Sequence, residues 1–384
     1  MKILVYPPID NGSINPLNSY LYNELSLLEC SIGAFKLRGR LPQCDIIHVH
    51  WPDSFILGFN AKTAIERYRL IRKQIKRLKN LLRQLKQCKA NGTKLVWTVH
   101  NIKPHEKGNP IISKYFWWRF LKLVDGLIFL SKTSQAIAMQ ERPELRRFPA
   151  QVIPRGNFKQ LADRSPTFKQ ARNKLKTPYN EFVCLFFGRL RAYKNIKKLA
   201  QEFIRAQTGK SRLIIAGDDH PDRTIGDELS RIASRHPNIL LDRRVVPDED
   251  MLTYISACDV VVLPYKEILN SAALLMALSC GRRVICPNMG TMAEIAEIVG
   301  PEWVYTYEDG FDAKVLEDFR TEFQNKPAVG PAPLPKAFDW PEVANATQTF
   351  YRTLLKTPHA ASLVSGSNIN QAFVQSGVKG TQKK

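Results

Sequence analysis

The sequence predicts an α/β protein made of two Rossmann-like, doubly wound domains that face each other across a cleft. Three observations support this prediction. Short, continuous apolar runs followed by polar or glycine-containing loops occur in two series, as is typical of parallel strands buried on both faces. Between residues 154 and 180 the apolar periodicity is lost, and proline, asparagine and lysine accumulate. A chain of 384 residues also exceeds what one core usually organises.

The first series predicts an N-terminal domain over residues 1–155. Its apolar runs are MKILVYPP at 1–8, DIIHVHWPD at 45–53, KLVWTVHNIKPHE at 94–106 and GLIFLS at 126–131. A helix is expected near residues 20–28. Ligands of open α/β sheets bind outside the carboxyl ends of the strands, so the polar residues that follow these runs should face the cleft.

The second series predicts a C-terminal domain over residues 180–335. It begins with FVCLFFGRLRAYKN at 182–195 and continues with RLIIAGDDH at 212–220, DVVVLPYKE at 259–267 and NSAALLMALSCGRRVICPNMG at 270–290. The last segment predicts a loop of small residues, a helix that begins near Ser271 and stops at Gly281, and another buried strand. After a second change of composition at 325–337, residues 338–356 predict a final helix, and residues 357–384 a mobile tail.

Arg189 and Lys194 lie directly after the first strand of the second series. Helix N-termini and loop amides at strand ends already favour negative charge, and these two side chains would add formal charge. The Arg fork can hold a phosphate bidentately, and Lys supplies a movable point charge, so the pair suits a diphosphate. The alternative is a solvated basic turn.

Four segments give the chain a resemblance to the GT-B superfamily of glycosyltransferases, in the group typified by family 4. They are GRLRAYKNIKKLAQEF at 188–203, IAGDD at 215–219, ISACDVVVLPY at 255–265 and ALSCGRRVICPNMG at 277–290, and the resemblance covers roughly residues 1–355. It implies that Arg189 and Lys194 grip the diphosphate of a nucleotide sugar and that the loop before Ser271 completes the phosphate cradle. It also implies that the terminal helix crosses back to the first domain. The expected donor-binding set is Gly188, Arg189, Lys194, Gly217, Asp218, Val246, Tyr265, Glu267, Asn270, Ser271 and Ala272.

One departure from family 4 concerns two glutamates that its members usually carry eight positions apart. Ile268 and Met276 occupy the corresponding positions, and Glu267 is one residue from the first. The segment PYKEILNSAALLMALSCG is more similar to the β-1,4-mannosyltransferase-type enzymes of bacterial exopolysaccharide assembly.

The candidate catalytic residues of the first domain are His100, Asp53 and Glu106, beside the two cations Arg189 and Lys194. The resemblance implies that His100 contacts the donor sugar. An inverting transfer needs a group that takes the proton of the acceptor hydroxyl, and Asp53, His105 or Glu106 could do so. Alternatively, Asp53 and Glu106 cap neighbouring elements or pair with nearby lysines. His48 is expected to be a core residue on the strand face opposite to His50.

No cofactor or metal is predicted beyond the nucleotide sugar, which acts as a co-substrate. The sequence contains no HExxH pattern and no cysteine pair at zinc-finger spacing. Its seven scattered cysteines predict reduced thiols in a cytoplasmic setting. Neither a signal peptide nor an apolar run long enough to cross a bilayer is expected.

The formal net charge of +22 is concentrated in a predicted basic amphipathic helix over residues 62–90. Residues 61–92 contain eleven Lys or Arg against one Glu, with an apolar stripe at Ile71, Ile75, Leu78, Leu82 and Leu85. Such a helix can rest on an anionic membrane surface, or it can pack on the core with a solvated basic face. A nearby aromatic segment has three interpretations: it could extend this surface, it could hold a polyprenyl acceptor tail, or it could be an ordinary core helix. Its residues are Phe116, Trp117, Trp118, Phe120 and Leu121.

These observations predict a glycosyltransferase that moves a sugar from GDP-mannose or a UDP-sugar to a glycolipid, oligosaccharide or polysaccharide acceptor. We expect it in the cytoplasm, peripheral on the inner face of the plasma membrane. One alternative is a non-catalytic protein of the same fold that binds sugar nucleotides. A nucleic-acid binder is disfavoured, because the charge lies on one helix and no nucleic-acid-binding fingerprint occurs.

Overall fold

The computed structural model describes residues 1–8, 16–36, 42–55, 63–102, 109–206, 209–220, 223–323, 326 and 330–357. Two sheets of six strands, all of whose pairings are parallel, form two domains. This confirms the predicted fold class. Of the predicted tail, only Thr357 lies within the described residues.

The first sheet has the strand order β2-β1-β3-β4-β5-β6. Its strands are β1 (Lys2–Tyr6), β2 (Ser31–Ala34), β3 (Ile46–Val49), β4 (Lys94–Val99), β5 (Gly126–Phe129) and β6 (Ala150–Val152). The helices of this domain are α1 (Pro16–Leu27), α2 (Ala64–Ala90), α3 (Pro110–Leu121) and α4 (Lys132–Glu141), with 3₁₀ turns at Pro52–Phe55 and Pro143–Arg147. The chain reverses its direction of winding between β1 and β3, which makes the carboxyl ends of these strands a natural binding edge.

The second sheet has the order β12-β11-β10-β7-β8-β9. Its strands are β7 (Phe182–Phe187), β8 (Ser211–Ala216), β9 (Ile239–Asp242), β10 (Val260–Val262), β11 (Arg283–Pro287) and β12 (Val304–Tyr307). Its helices are α7 (Ile196–Arg205), α8 (Thr224–Ala233), α9 (Asp248–Ala257), α10 (Ala272–Ser279), α11 (Gly290–Val299) and α12 (Ala313–Phe323), and a 3₁₀ turn spans Ala192–Lys194. The switch point lies between β7 and β10, so the loops after these strands should hold a ligand.

The segment between the sheets carries two short helices, α5 (Lys159–Ala162) and α6 (Phe168–Lys174). Arg172 anchors it to the second domain. Its buried guanidinium donates to the carbonyls of Ala257, Pro178 and Glu181 and to the carboxylate of Asp259.

After a 3₁₀ turn at Lys336–Phe338, the last helix, α13 (Trp340–Lys356), returns to the first domain. It packs against α1, and its Gln348 donates to the carbonyl of Leu28 at 2.7 Å. The Tyr351 hydroxyl reaches His48 beneath the first sheet at 2.6 Å.

Alternate residues of the first sheet enter two separate hydrophobic clusters, as the two-residue period of a strand requires. Ile3, Val5 and Ile46 join the cluster that continues through α1 and α13 into the second domain. Leu4 and Ile47 join the cluster under α2 and α3.

Helix α2 begins with a capping box, in which Thr63 and Glu66 satisfy each other's backbone amides. Of the predicted apolar stripe, Leu78, Leu82 and Leu85 are buried, whereas the side chain of Ile75 is 39% exposed. The apolar stripe is therefore buried in part only, with Ile75 on the exposed side. Leu81 is also buried. It lies in the carboxyl-terminal half of α2, where the helix covers the sheet.

In α3, the prediction of an ordinary core helix is correct for Phe116, Phe120 and Leu121, which are buried. Trp117 is half-buried, and Trp118 is 52% exposed.

Candidate active site

Two glycines bring the loops after β7 and β8 into contact at the switch point. Gly188 has φ +109°, which favours glycine, and its amide donates to the carbonyl of Ala216. A Cβ on Gly217 would lie 2.3 Å from the Gly188 carbonyl oxygen, and a Cβ on Gly188 would lie 2.9 Å from the Lys194 ammonium. Only residues without a side chain allow this approach.

Lys194 ends the 3₁₀ turn after β7, with its ammonium beside two aromatic rings. The nitrogen lies 5.6 Å from the ring centroid of Phe186 and 5.7 Å from that of Tyr265. Within the part of the chain that the structure describes, no carboxylate forms a salt bridge with it. Burial, reinforced by the cations of Arg191 and Arg189, lowers the pKa of Lys194 to about 7. An anion bound here would restore the charged form.

Arg189 is 41% exposed and pairs with the carboxylate of Asp218 at 3.4 Å. Asp218, predicted to bind the ligand, here neutralises the cation that was expected to hold the diphosphate. Its carbonyl also accepts from the amide of Leu190, which joins the two loops.

Arg191 is a functional candidate that the sequence reasoning missed. It lies in the same loop, and its buried Nε has no hydrogen-bond partner among the described residues. A buried donor without a partner is costly, so a ligand that accepts this bond would be favoured. The basic spacing of GRLRAYK was the available signal, since it contains a third cation.

Ser271 caps α10, as the sequence predicts for a helix that begins near this residue. Its hydroxyl accepts from the amide of Leu274 at 3.3 Å, and Ala272 is the first helical residue. Tyr265 is buried, which raises the pKa of its hydroxyl, and the neighbouring Ser271 hydroxyl lowers that pKa. The ring of Tyr265 therefore connects Lys194 with the positive end of α10.

Asn270 lies at the contact between the domains. Its amide donates to the backbone carbonyl of His100 at 3.0 Å and accepts from the hydroxyl of Thr291. Three further bonds cross the same gap. The hydroxyls of Ser131 and Thr291 lie 3.2 Å apart, and the Glu294 carboxylate accepts from the first amides of α4.

His48 and His50 share one face of β3, so the expectation of opposite faces was wrong. Residues two apart in a strand point the same way. Their rings are 4.2 Å apart, and the hydroxyl of Tyr22 contacts both, at 2.7 and 2.6 Å. The expectation that His48 is a core residue is correct. Burial lowers the pKa of its ring to about 3.

His100 is buried, and both of its ring nitrogens are in hydrogen bonds within the protein. Nε2 contacts His50 at 3.0 Å, and Nδ1 accepts from the guanidinium of Arg155 at 3.1 Å. Burial, then Arg155 and His48, hold the pKa of His100 well below its ordinary value. Its contact with the donor sugar stays a prediction.

Asp53 is half-buried in the 3₁₀ turn after β3, beside a cavity of about 10 Å³ that His50, Trp97 and Trp117 help to line. The other two acid-base candidates, His105 and Glu106, lie outside the described residues.

Two predicted donor-site residues lie at strand ends without a described contact to Lys194. Val246 is half-buried between β9 and α9 and packs on the core, and the Glu267 side chain is exposed after β10. In the described ranges, no group of three or more His, Cys, Asp or Glu side chains could hold a metal ion.

The arrangement defines a class of protein. Two parallel sheets, with a cationic loop and a capped helix N-terminus at the switch point of the second, are the architecture of GT-B glycosyltransferases. The family model described as glycosyl transferases group 1 matches residues 181–316. Solved structures with this fold cover most of the chain. Sucrose-phosphate synthase from Thermosynechococcus elongatus has a TM-score of 0.63 at 16% identity, over 92% of this chain and 98% of that one. HepE of Anabaena, in complex with UDP-glucose, has the same score and identity, over 92% and 99%.

The chain belongs to the group 1 glycosyltransferases and is a glycosyltransferase. It is 30% identical over 357 residues to a GDP-mannose:glycolipid 4-beta-D-mannosyltransferase of Xanthomonas campestris pv. campestris. The aligned residues cover 90% of this chain and 89% of the relative. A second Xanthomonas campestris protein of the same description is 29% identical over the same lengths. Both the superfamily resemblance and the narrower one to mannosyltransferases are confirmed.

Proposed function

We propose that the protein transfers a mannosyl residue from GDP-mannose to a hydroxyl of a glycolipid acceptor, with formation of a β-linkage. The similarity to relatives described as GDP-mannose:glycolipid 4-beta-D-mannosyltransferases over nine-tenths of the chain supports this donor and acceptor. The observation that favours a diphosphate donor is the cationic loop around Lys194. The half-buried ammonium of Lys194 has no carboxylate partner among the described residues.

The chemistry assigns separate tasks to the two domains. As the bond between the anomeric carbon and the diphosphate oxygen breaks, negative charge develops on the diphosphate, and Arg189, Lys194 and the N-terminus of α10 stabilise it electrostatically. Because GDP-mannose is an α-linked donor, a β-product requires attack from the opposite face and a base for the acceptor proton. Asp53 and Glu106 are the proposed bases.

Transfer is tested by incubating the purified protein with labelled GDP-mannose, UDP-glucose or UDP-galactose and a membrane extract containing lipid-linked saccharides. We expect label in the lipid fraction with GDP-mannose, and a β-anomeric signal in the NMR spectrum of the released saccharide. Lys194→Met should reduce turnover while leaving the fold intact by circular dichroism. Transfer from a UDP-sugar alone would contradict the donor, and an α-linked product would contradict the need for a base.

We also propose that the exposed faces of α2 and α3 rest on an anionic membrane at the cytoplasmic side. Ile65, Tyr68 and Ile75 form an exposed stripe on α2, beside its buried face. On α3, Ile111, Tyr115 and Trp118 form another. Helices with exposed aromatic and aliphatic residues among cations bind at the interface of anionic bilayers.

The cations of this surface lie among the rings. The Lys122 ammonium is 4.0 Å from the Trp118 ring centroid, and Arg119 lies over the same ring at 5.4 Å. Arg72 lies over Tyr68 at 5.8 Å. The described helices include none that is both long and apolar enough to span a membrane.

Membrane contact is tested by co-sedimentation with vesicles of phosphatidylcholine, with and without phosphatidylglycerol. Replacing Arg72, Lys76, Arg83 and Lys86 by Gln should weaken binding to the anionic vesicles and spare activity on soluble acceptors. The matched control replaces four exposed cations elsewhere, Lys169, Arg231, Arg235 and Lys336. Equal sedimentation of both quadruple variants would contradict a local surface and indicate a general effect of charge.

A further inference from the structure

An unbroken series of buried hydrogen bonds joins the last helix to the cleft between the domains. It passes from α13 through α1, β3 and β4 to the segment after β6, with distances of 2.6–3.1 Å between successive polar atoms. Its members in order are Tyr351, His48, Tyr22, His50, His100 and Arg155. Except for Arg155, all are buried in the first domain.

Arg155 sets the direction of the bonds from its own guanidinium to the hydroxyl of Tyr22, because a guanidinium can only donate. His100 therefore accepts at Nδ1, and as a neutral ring it carries its proton on Nε2, which donates to Nδ1 of His50. His50 in turn donates from Nε2 to the hydroxyl of Tyr22.

The far end of the series has no partner that can only donate. The hydroxyls of Tyr22 and Tyr351 contact Nδ1 of His48, and the hydroxyl of Thr98 contacts its Nε2 at 2.7 Å. A hydroxyl can donate or accept, so the direction imposed by Arg155 extends to His100 and His50, both of which are Nε2-protonated as neutral rings.

Arg155 lines two cavities. One, of about 40 Å³, lies between the first sheet and the last helix and is also lined by the three histidines of the series. The other, of about 140 Å³, lies between the two domains, and Asn270, Ser271 and Thr291 help to line it. Ser271 is close enough to Tyr265 to affect the pKa of its hydroxyl, and the ring of Tyr265 neighbours Lys194, so this cavity adjoins the cationic loop of the second domain.

The Arg155 guanidinium has no carboxylate partner among the described residues, and its described hydrogen bond is the one to His100. Burial lowers the pKa of this guanidinium to about 10, so it remains charged at neutral pH. A cation kept in a cleft without a counter-ion is favourably placed for an anionic ligand.

We propose that Arg155 is a substrate-binding cation, which contacts the donor diphosphate from the side opposite to Lys194 and is held in place by the polarised series of histidines and tyrosines. His100 is then a positioning residue for Arg155 and does not act as a base. This inference rests on the proposed nucleotide-diphosphate donor.

The positioning is tested without substrate by NMR of the full chain with ¹⁵N-labelled histidine. We expect His50 and His100 in the neutral Nε2-protonated form between pH 6 and 8. Tyr22→Phe removes the central hydroxyl, and Arg155→Ala removes the donor that fixes the direction, so each should change the nitrogen shifts of His100. Tyr179→Phe, which loses a comparable 2.6 Å bond to Asn173 on the surface, is the control. A His100 spectrum unchanged in Arg155→Ala would overturn the proposed polarity.

Ligand binding is tested by calorimetry with GDP and GDP-mannose. Arg155→Ala should weaken binding of both by about 10- to 100-fold, the loss expected for a hydrogen bond to a charged group. Tyr22→Phe should weaken it less, with Tyr179→Phe unchanged. If the unmodified protein binds neither nucleotide, the proposed donor is wrong. If the unmodified protein binds both nucleotides and the Arg155→Ala variant binds them equally well, the role of Arg155 at the diphosphate is refuted. A transfer assay in which Arg155→Ala raises only the KM for the acceptor would refute it as well.

Discussion

Lys194 should take up a proton when the donor binds. Burial and two neighbouring cations lower its pKa from 10.5 to about 7, which corresponds to a charging cost of at most about 5 kcal/mol, reduced by solvent screening at this half-buried site. A diphosphate beside the ammonium supplies the missing opposite charge and raises the pKa again.

The sign and size follow from these two states. At pH 8 the free side chain is about 90% neutral, and it is charged in the complex, so binding should take up about 0.9 proton. At pH 6 the side chain is already charged, and the uptake should fall to about 0.1. Affinity should therefore be highest below pH 7 and decrease by up to tenfold per pH unit above it.

Calorimetry with GDP-mannose, in buffers of different ionisation enthalpy, counts these protons directly. The diphosphate of a sugar nucleotide has no secondary ionisation in this range, and burial raises the pKa of the facing Tyr265 hydroxyl, which therefore keeps its proton. Lys194→Arg retains a permanent charge and should bind with no uptake. Lys194→Met should also show no uptake, and should bind about 10- to 100-fold more weakly.

Two results would refute the reasoning. The first is an uptake below about 0.2 proton at pH 8 in the unmodified protein, which would mean that the ammonium is already charged or does not meet the ligand. The second is an undiminished uptake in Lys194→Arg, which would assign the proton to another group.

Three further predictions concern the frame of the site. Gly217→Ala places a Cβ 2.3 Å from the Gly188 carbonyl oxygen and should lower donor affinity by separating the two loops, as nucleotide titration would show. Arg172→Met removes the cation beside the Asp259 carboxylate, which keeps only the Val183 amide among its described donors, and removes a donor from three carbonyls, so it should lower the free energy of unfolding by about 3–5 kcal/mol in urea denaturation. Glu294→Ala removes the acceptor for the first amides of α4 and should increase the radius of gyration in small-angle scattering by favouring an open cleft.

The second domain's part of the site could be predicted because it is local in sequence. Gly188, Arg189 and Lys194 lie within seven residues at the end of one strand, and Ser271 begins the helix after another. Strand periodicity, glycine and capping preferences act over such distances, so they identify both the loop and its charge.

The first domain's part could not be predicted in the same way. Arg155 lies in a segment that the loss of periodicity marks as a connection, and its partner His100 is 55 positions away. Nothing local indicates that α13 supplies Tyr351 to His48 across 303 positions. Such networks depend on how the elements pack, which a single sequence does not specify.

One sequence-based error has a simple physical cause. Placing His48 and His50 on opposite faces misapplied the two-residue period of a strand. The apolar pattern of α2 could be read from the sequence, but where its burial begins could not, because that depends on how the helix packs; its buried leucines begin at Leu78.

The charges of the cationic loop favour a particular class of ligand. It carries three basic side chains, Arg189, Arg191 and Lys194, and among the described residues only Arg189 has a carboxylate partner, Asp218. Two positive charges therefore remain without counter-ions when Lys194 is protonated. The diphosphate of a nucleotide sugar carries two negative charges, so it compensates both and also offers acceptors for the buried Nε of Arg191. A ligand with a single phosphodiester carries one negative charge, so it would leave one of these cations uncompensated and should bind more weakly.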